Sequence, residues 1–144
     1  MHPATPRSQP AVSVLICTCG RAARLQRALS ALAPQPLAPA GLEVVLVADA
    51  STDATPQVCD RMRARLPRLR RVPTAVNLGV GAASELGLRH VTGEHVLFTD
   101  DDCLPRPDWA AALSHALRTH PIAAGAVVPA PGNTVDLALH VSSF

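Results

Sequence analysis

Apolar positions along the chain follow two alternating rhythms. Val12-Ser13-Val14-Leu15-Ile16-Cys17, Glu43-Val44-Val45-Leu46-Val47-Ala48 and His95-Val96-Leu97-Phe98-Thr99 are short, nearly continuous apolar runs, the pattern of strands buried on both faces. Between them the spacing changes. Leu25, Ala28, Leu29 and Leu32 recur at i, i+3, i+4 and i+7, which predicts a helix over 21–33 with one apolar face. Val58, Met62 and Leu66 predict a second helix over 54–66 in the same way. A short third strand is expected at 71–75, then a turn at Asn77–Gly81 and a helix to His90. Pro107-Asp108 marks the opening of a fourth helix whose buried face carries Trp109, Leu113, Ala116 and Leu117. Trp109 at that spacing reads as core. The apolar run 123–128, stopped by Pro129 and Pro131, predicts a last strand. Residues 1–10, with Pro3, Pro6 and Pro10, read as a loose tail and 132–144 as an irregular end. The folded domain is then 11–131. Strands alternating with helices define an α/β fold: a mainly parallel, Rossmann-like sheet with helices on both faces and right-handed crossovers.

Composition narrows the function. At 144 residues and 48% hydrophobic content the chain suits one domain with a sizeable core. Aromatic residues make up only 2% and the net charge is +2, so a nucleic-acid partner is not expected. All the basic residues are Arg, and the absence of Lys excludes a P-loop or Schiff-base lysine. Arg61, Arg65 and Arg68 form a stripe that reads as a solvated face, since no aromatic residue interleaves with it. Cys17, Cys19, Cys59 and Cys103 show no Cys-x-x-Cys spacing, so zinc is not expected and the four read as reduced, mostly buried thiols of a cytosolic protein. The sequence has no apolar signal core and no apolar run of membrane-spanning length. The expected location is the cytosol, with peripheral association at the inner face of a membrane, or with a second chain, left open.

The candidate chemistry lies where the strands stop. The run 95–99 ends abruptly at Asp100-Asp101-Asp102, followed by Pro105 and Pro107. This is the C-terminal end of a strand, where open α/β sheets bind ligands. Two carboxylates about 4 Å apart repel by roughly 4 kcal/mol at an effective dielectric of about 20, so three together call for a cation, a proton or ample water. In an extended segment Asp100 and Asp102 point to one side and Asp101 to the other. Oxygen ligands favour a hard divalent ion, Mg²⁺ or Mn²⁺; the alternative is a solvated acidic turn. Thr18 and the loop Asp49–Asp53 are expected on the same sheet edge. Asp49 there suits either a ligand contact or, with Ser51, simple helix capping. Gly79-Val80-Gly81-Ala82-Ala83-Ser84 approaches a dinucleotide fingerprint, but Ser84 replaces its third glycine. Its role is read as a helix start that can approach the sheet or a phosphate.

Taken together, these stretches resemble the N-terminal half of a family 2 glycosyltransferase of the GT-A fold, over residues 12–130. The family's Pro-Thr-Tyr-Asn-Arg turn appears as Cys17-Thr18-Cys19-Gly20-Arg21, matching at Thr18 and Arg21. Its Val-Asp-Asp-Gly-Ser-Thr-Asp block is Val47-Ala48-Asp49-Ala50-Ser51-Thr52-Asp53. Its Asn-x-Gly-x-x-x-Ala-Arg-Asn-x-Gly block is Asn77 to Gly87, with Ser84 and Glu85 in place of Arg and Asn. The Gly-Glu-x-x-x-Phe-x-Asp-x-Asp-x-x-Pro block is complete, from Gly93-Glu94 through Phe98, Asp100 and Asp102 to Pro105. The resemblance implies a nucleotide-diphospho-sugar donor, a metal (Mg²⁺ or Mn²⁺) on Asp102 and Asp100, and a supporting Asp101. Thr18, Asp49, Ser51, Asn77, Gly79, Asp100 and Asp101 are the donor-site residues it implies. The acceptor (glycan, lipid or small molecule) stays open. The catalytic base is expected in an acceptor half beyond residue 130, outside this chain. Two other readings stand beside this one: a non-catalytic nucleotide-sugar module, and a dinucleotide-dependent oxidoreductase.

Overall fold

A computed structural model describes residues 11–37 and 41–128. The tail expected at 1–10 and the irregular end expected at 132–144 lie outside them. Four strands, β1 (Val12–Thr18), β2 (Leu42–Ala48), β3 (Leu69–Pro73) and β4 (His95–Phe98), alternate with four helices. The helices are α1 (Ala22–Leu32), α2 (Thr55–Met62), α3 (Gly79–Leu88) and α4 (Trp109–Leu117). All strand pairs are parallel, in the order β3-β2-β1-β4. The predicted α/β architecture is thus the one observed.

The pleat sorts the central strands between two cores. Val12, Val14 and Ile16 of β1 and Leu42, Val44 and Leu46 of β2 meet Leu25, Leu29 and Leu32 of α1, Val58 and Met62 of α2, and the Trp109, Leu113 and Leu117 side of α4. Leu15, Val45 and Val47 face the other way, onto Ala83 and Leu86 of α3. Burial on both faces is why these runs are apolar without alternation. At the sheet's N-terminal end a polar lock joins β1, β2 and the entry to β4. Ser13 Oγ donates to Glu43 at 2.5 Å, while the amides of Thr92 and Gly93 donate to Glu43 and Ser13 at 2.9 and 2.8 Å.

Four expectations need correction. The third strand begins at Leu69, two residues before the expected start, because buried Leu69 pairs with Val44. Pro73 closes it on the sheet's outer edge, where its missing N–H costs nothing. The second helix ends at Met62 and continues only as turns through Arg65, since Pro67 disfavours helical geometry at Leu66. The run 123–128 forms no strand. Ile122, Val127 and Val128 are 84%, 62% and 77% exposed, and an apolar run becomes a strand only where a neighbour accepts its hydrogen bonds. Finally, only Cys59 of the four thiols is buried; Cys17 and Cys103 are half-buried and Cys19 is exposed, although all four are free as expected.

Candidate nucleotide and metal site

The parallel sheet delivers every strand's C-terminal loop to one edge, and hydrogen bonds knit these loops together. Asp49 follows β2 and is 4% exposed. Its carboxylate accepts the amides of Leu78 and Gly79 at 2.9–3.1 Å and the Thr74 hydroxyl at 2.8 Å. Burial pushes this carboxyl up, but the donors from Leu78, Thr74 and Gly79 outweigh it and hold the group below the usual carboxylate range. Asp49 thereby caps α3 rather than the helix that follows it in sequence. Asp53 caps α2 instead. It accepts the Thr55 amide and hydroxyl, and its second oxygen takes the Ala22 amide at the start of α1. The Thr55 hydroxyl foremost, against some burial, lowers the Asp53 carboxyl.

The remaining donor-site residues adjoin these. Ser51 Oγ accepts the Gly20 amide at 3.1 Å and donates to the Thr18 carbonyl at 3.4 Å, joining the first two loops. Asn77 Oδ1 accepts the Gly79 amide at 2.9 Å, and its Nδ2 donates to Cys19 Sγ at 3.4 Å. Gly79 opens α3 with φ +76, a conformation that glycine adopts freely.

The three acids after β4 divide into one buried and two exposed, although Asp101 and Asp102 lie in a turn and not in an extended segment. Asp101 turns inward and is fully buried; its Oδ2 accepts the Thr18 hydroxyl at 2.6 Å and pairs with Arg21 Nε at 3.1 Å. Its Oδ1 is buried with no partner among the described residues. Asp100 and Asp102 are exposed. Asp102 meets Arg21 at 3.6 Å and Arg24 at 3.4 Å, while the Asp100 carboxylate has no hydrogen bond or ion pair among the described residues and lines a cleft of about 260 Å³ with Cys17, Ser84, Phe98 and Thr99. Two arginines therefore already balance part of this charge. Their pairs with Asp102 are exposed, and such pairs contribute about 0–1 kcal/mol, so an incoming cation displaces them at little cost.

One donor atom each from Asp100, Asp102 and Cys103 lies within 4.8 Å of the other two. Two exposed carboxylates at that spacing fit a hard divalent ion. Burial raises the Cys103 thiol above its ordinary pKa, so at neutral pH it is a thiol beside the two acids.

Sequence reasoning missed Arg24, Thr74 and Gln35. Arg21 and Arg24 stand at the N-terminal end of a helix, where a cation is unfavourable; that placement is a signal that each has an acidic partner. Gln35 shows no such signal. Its amide nitrogen donates to the Arg106 carbonyl at 2.7 Å and its Oε1 accepts the Ala110 amide at 3.1 Å. It thereby caps α4, whereas Asp108 at the cap position makes no side-chain cap.

A four-stranded parallel sheet with this loop cluster at its C-terminal edge defines the class, and comparison names the family. The Glycosyl transferase family 2 pattern matches residues 13–142, and the chain belongs to that family. The chain is 28% identical over 100 residues to "Glycosyltransferase AglE" of Haloferax volcanii, covering 69% of this chain and 33% of that protein. It is 40% identical over 77 residues to "Dolichyl-phosphate beta-glucosyltransferase ALG5A" of Trichomonas vaginalis, covering 54% and 24%. It therefore spans a third or less of these curated relatives. Among solved structures, S. aureus TarS 1-349 in complex with UDP superposes with a TM-score of 0.70 at 29% identity, covering 76% of this chain and 32% of that one. The mannosyltransferase PcManGT from Pyrobaculum calidifontis, in complex with GDP-Man and Mn²⁺, gives a TM-score of 0.61 at 35% identity, covering 69% and 30%. The fold is accordingly of the GT-A type.

Proposed function

We propose that this chain binds the nucleoside-diphosphate part of a sugar donor for glycosyl transfer, with Mg²⁺ or Mn²⁺ held by Asp102 and Asp100. The observation that carries this reading is the exposed Asp100–Asp102 pair, with the Asp100 carboxylate unpartnered among the described residues at the mouth of a cleft on the sheet's ligand-binding edge. The neighbours bound to UDP and to GDP-Man with Mn²⁺ support it. Bound there, the metal supplies Lewis-acid neutralisation of the leaving diphosphate. The chain's own residues do the rest. Thr18 and Arg21 fix Asp101 and with it the loop that aims Asp100 and Asp102. Asp49 shapes the Leu78–Gly79 turn, Ser51 joins the second loop to the first and Asn77 joins that turn to the first, so donor contacts fall on these loops' exposed groups. The acceptor, and the base that activates it, are assigned to no residue here.

A second reading is a non-catalytic nucleotide-sugar module. It is favoured by Ser84, which stands where the family pattern has Arg and lies 3.5 Å from Cys17 Sγ. Thermal melting with UDP or GDP, with and without Mn²⁺, tests the shared binding step. The expected result is a rise in melting temperature only when both are present; equal stabilisation in EDTA would remove the metal from the proposal. Acceptor-dependent release of nucleoside diphosphate separates transferase from module.

A further inference from the structure

The acid site occupies one outer edge of the sheet; the other edge carries the opposite charge. Six of the chain's 13 basic residues fall within residues 60–71, against the single acid Asp60. That stretch carries a net +5, and the rest of the chain, with seven arginines and ten acids, carries −3. The structure gathers the six on the last turn of α2, the connection after it and the edge strand β3. Among the described residues β3 and β4 are the two outer strands, so the basic edge lies across the sheet from the acidic loop that follows β4.

Two ordinary explanations fall short. Arginines on an edge strand deter unwanted pairing, but only Arg70 and Arg71 lie on β3. A solvated helical face gains from interspersed acids, and here Arg63 pairs with its neighbour Asp60. Arg61 reaches the neutral Gln26 at 3.1 Å, and the guanidinium groups of Arg65, Arg70 and Arg71 make no hydrogen bond or ion pair among the described residues. Like charges packed this way repel and disfavour the fold. Their concentration therefore points outward, to an anionic partner.

The patch also says what kind of partner. Its apolar residues Met62, Leu66 and Leu69 are buried, and it has no aromatic residue. Protein interfaces need an apolar or aromatic centre, and single-stranded nucleic acids need stacking side chains. A surface of pure, unpositioned positive charge suits diffuse negative charge instead. We infer that the edge formed by Arg61, Arg63, Arg65, Arg70 and Arg71 docks on an anionic lipid bilayer, holding the sheet so that the loop after β4 faces water. No helix among the described residues is long and apolar enough to cross a membrane, and this contact needs none.

The test is co-sedimentation of the whole chain with vesicles of phosphatidylcholine alone or equimolar phosphatidylcholine and phosphatidylglycerol. Binding is expected only to the mixed vesicles, and is lost near 1 M salt, where screening shortens to about 3 Å. An arginine near an anionic surface strengthens binding about fivefold, so R61Q/R65Q/R70Q should weaken it about a hundredfold. R27Q/R89Q/R118Q removes the same charge elsewhere and should weaken it by less than about fivefold. Melting curves establish that each variant folds, and the single substitution Arg65→Gln, at an exposed side chain without a partner, gives a milder check. Absence of wild-type binding, equal loss in both triple variants, or tighter binding to a duplex oligonucleotide than to the mixed vesicles would each overturn the inference.

Discussion

Ala50 sits with φ +46, the single described residue other than glycine in the left-handed region. The family pattern has glycine at this place in the block that reads Val47-Ala48-Asp49-Ala50-Ser51 here. A Cβ in that conformation costs about 1 kcal/mol. The strain persists because the turn is held from both sides: the Asp49 amide donates to the Thr18 carbonyl and the Ala50 amide to Thr74 Oγ1. Replacing Ala50 with Gly is expected to raise unfolding free energy by about 0.5 kcal/mol, the relief being partly offset by a freer unfolded chain; urea melts measure it. The opposite kind of residue is Asp102, exposed and only weakly paired. Asp102→Asn should reduce metal-dependent nucleotide affinity at least tenfold, about 1.4 kcal/mol, with an unchanged melting temperature in the absence of ligand. Unchanged affinity by calorimetry would place the ion elsewhere. The acid triplet was legible as a site because strand and loop signals met there. The burial of Asp101 between two exposed acids matches the sides that an extended segment would give them, and the supporting role came from the family resemblance.

Among elements, α3 shows how closely a helix and this sheet approach. A methyl group at Gly87 would lie 2.3 Å from Leu15 Cδ1 and 3.0 Å from Val47 Cγ2, both on buried side chains; at Gly81 it would meet nothing within 4 Å. One substitution in one helix should then act with two signs. Gly81→Ala is expected to stabilise by about 0.5–1 kcal/mol through helix propensity. Gly87→Ala is expected to destabilise by about 1–2 kcal/mol, since overpacking exceeds the same propensity gain. Equal shifts in urea midpoint would mean that the helix stands off the sheet. The helices were readable wherever apolar spacing was regular: Leu25, Ala28, Leu29 and Leu32, all predicted to share a face, are all fully buried. The strands were readable where both faces are covered. Two of the misses share one cause. The run 123–128 has strand composition without a partner, and α4 is capped by Gln35, 75 residues before the Ala110 it serves. Pairing partners and distant caps are properties of the assembled sheet, and no local window contains them.

At the scale of the whole molecule, acid should unfold the protein through specific carboxylates. Asp49 and Asp53 are held below the usual range by the donors they accept. A group depressed in the folded state contributes stability above its ordinary pKa of about 3.9, and that contribution disappears as pH falls through the folded value. Unfolding free energy should therefore change little between about pH 7 and 5 on their account and drop below about pH 4. Asp49→Asn should lessen the drop, and an identical acid limb in that variant would exclude Asp49 as a contributor. The sheet order carries a consequence for how such a molecule is made. The central strand β1 leaves the ribosome before the other three described strands, yet its two neighbours are β2, whose register begins 30 residues later, and β4, 83 residues later. Parallel strands cannot zip as hairpins, and distant contacts form slowly. During synthesis, then, a strand buried on both faces waits longest for its full set of partners. The burden of keeping Val12–Cys17 from sticking to other chains falls on chaperones, or on a pace of translation that lets α1 cover one face first.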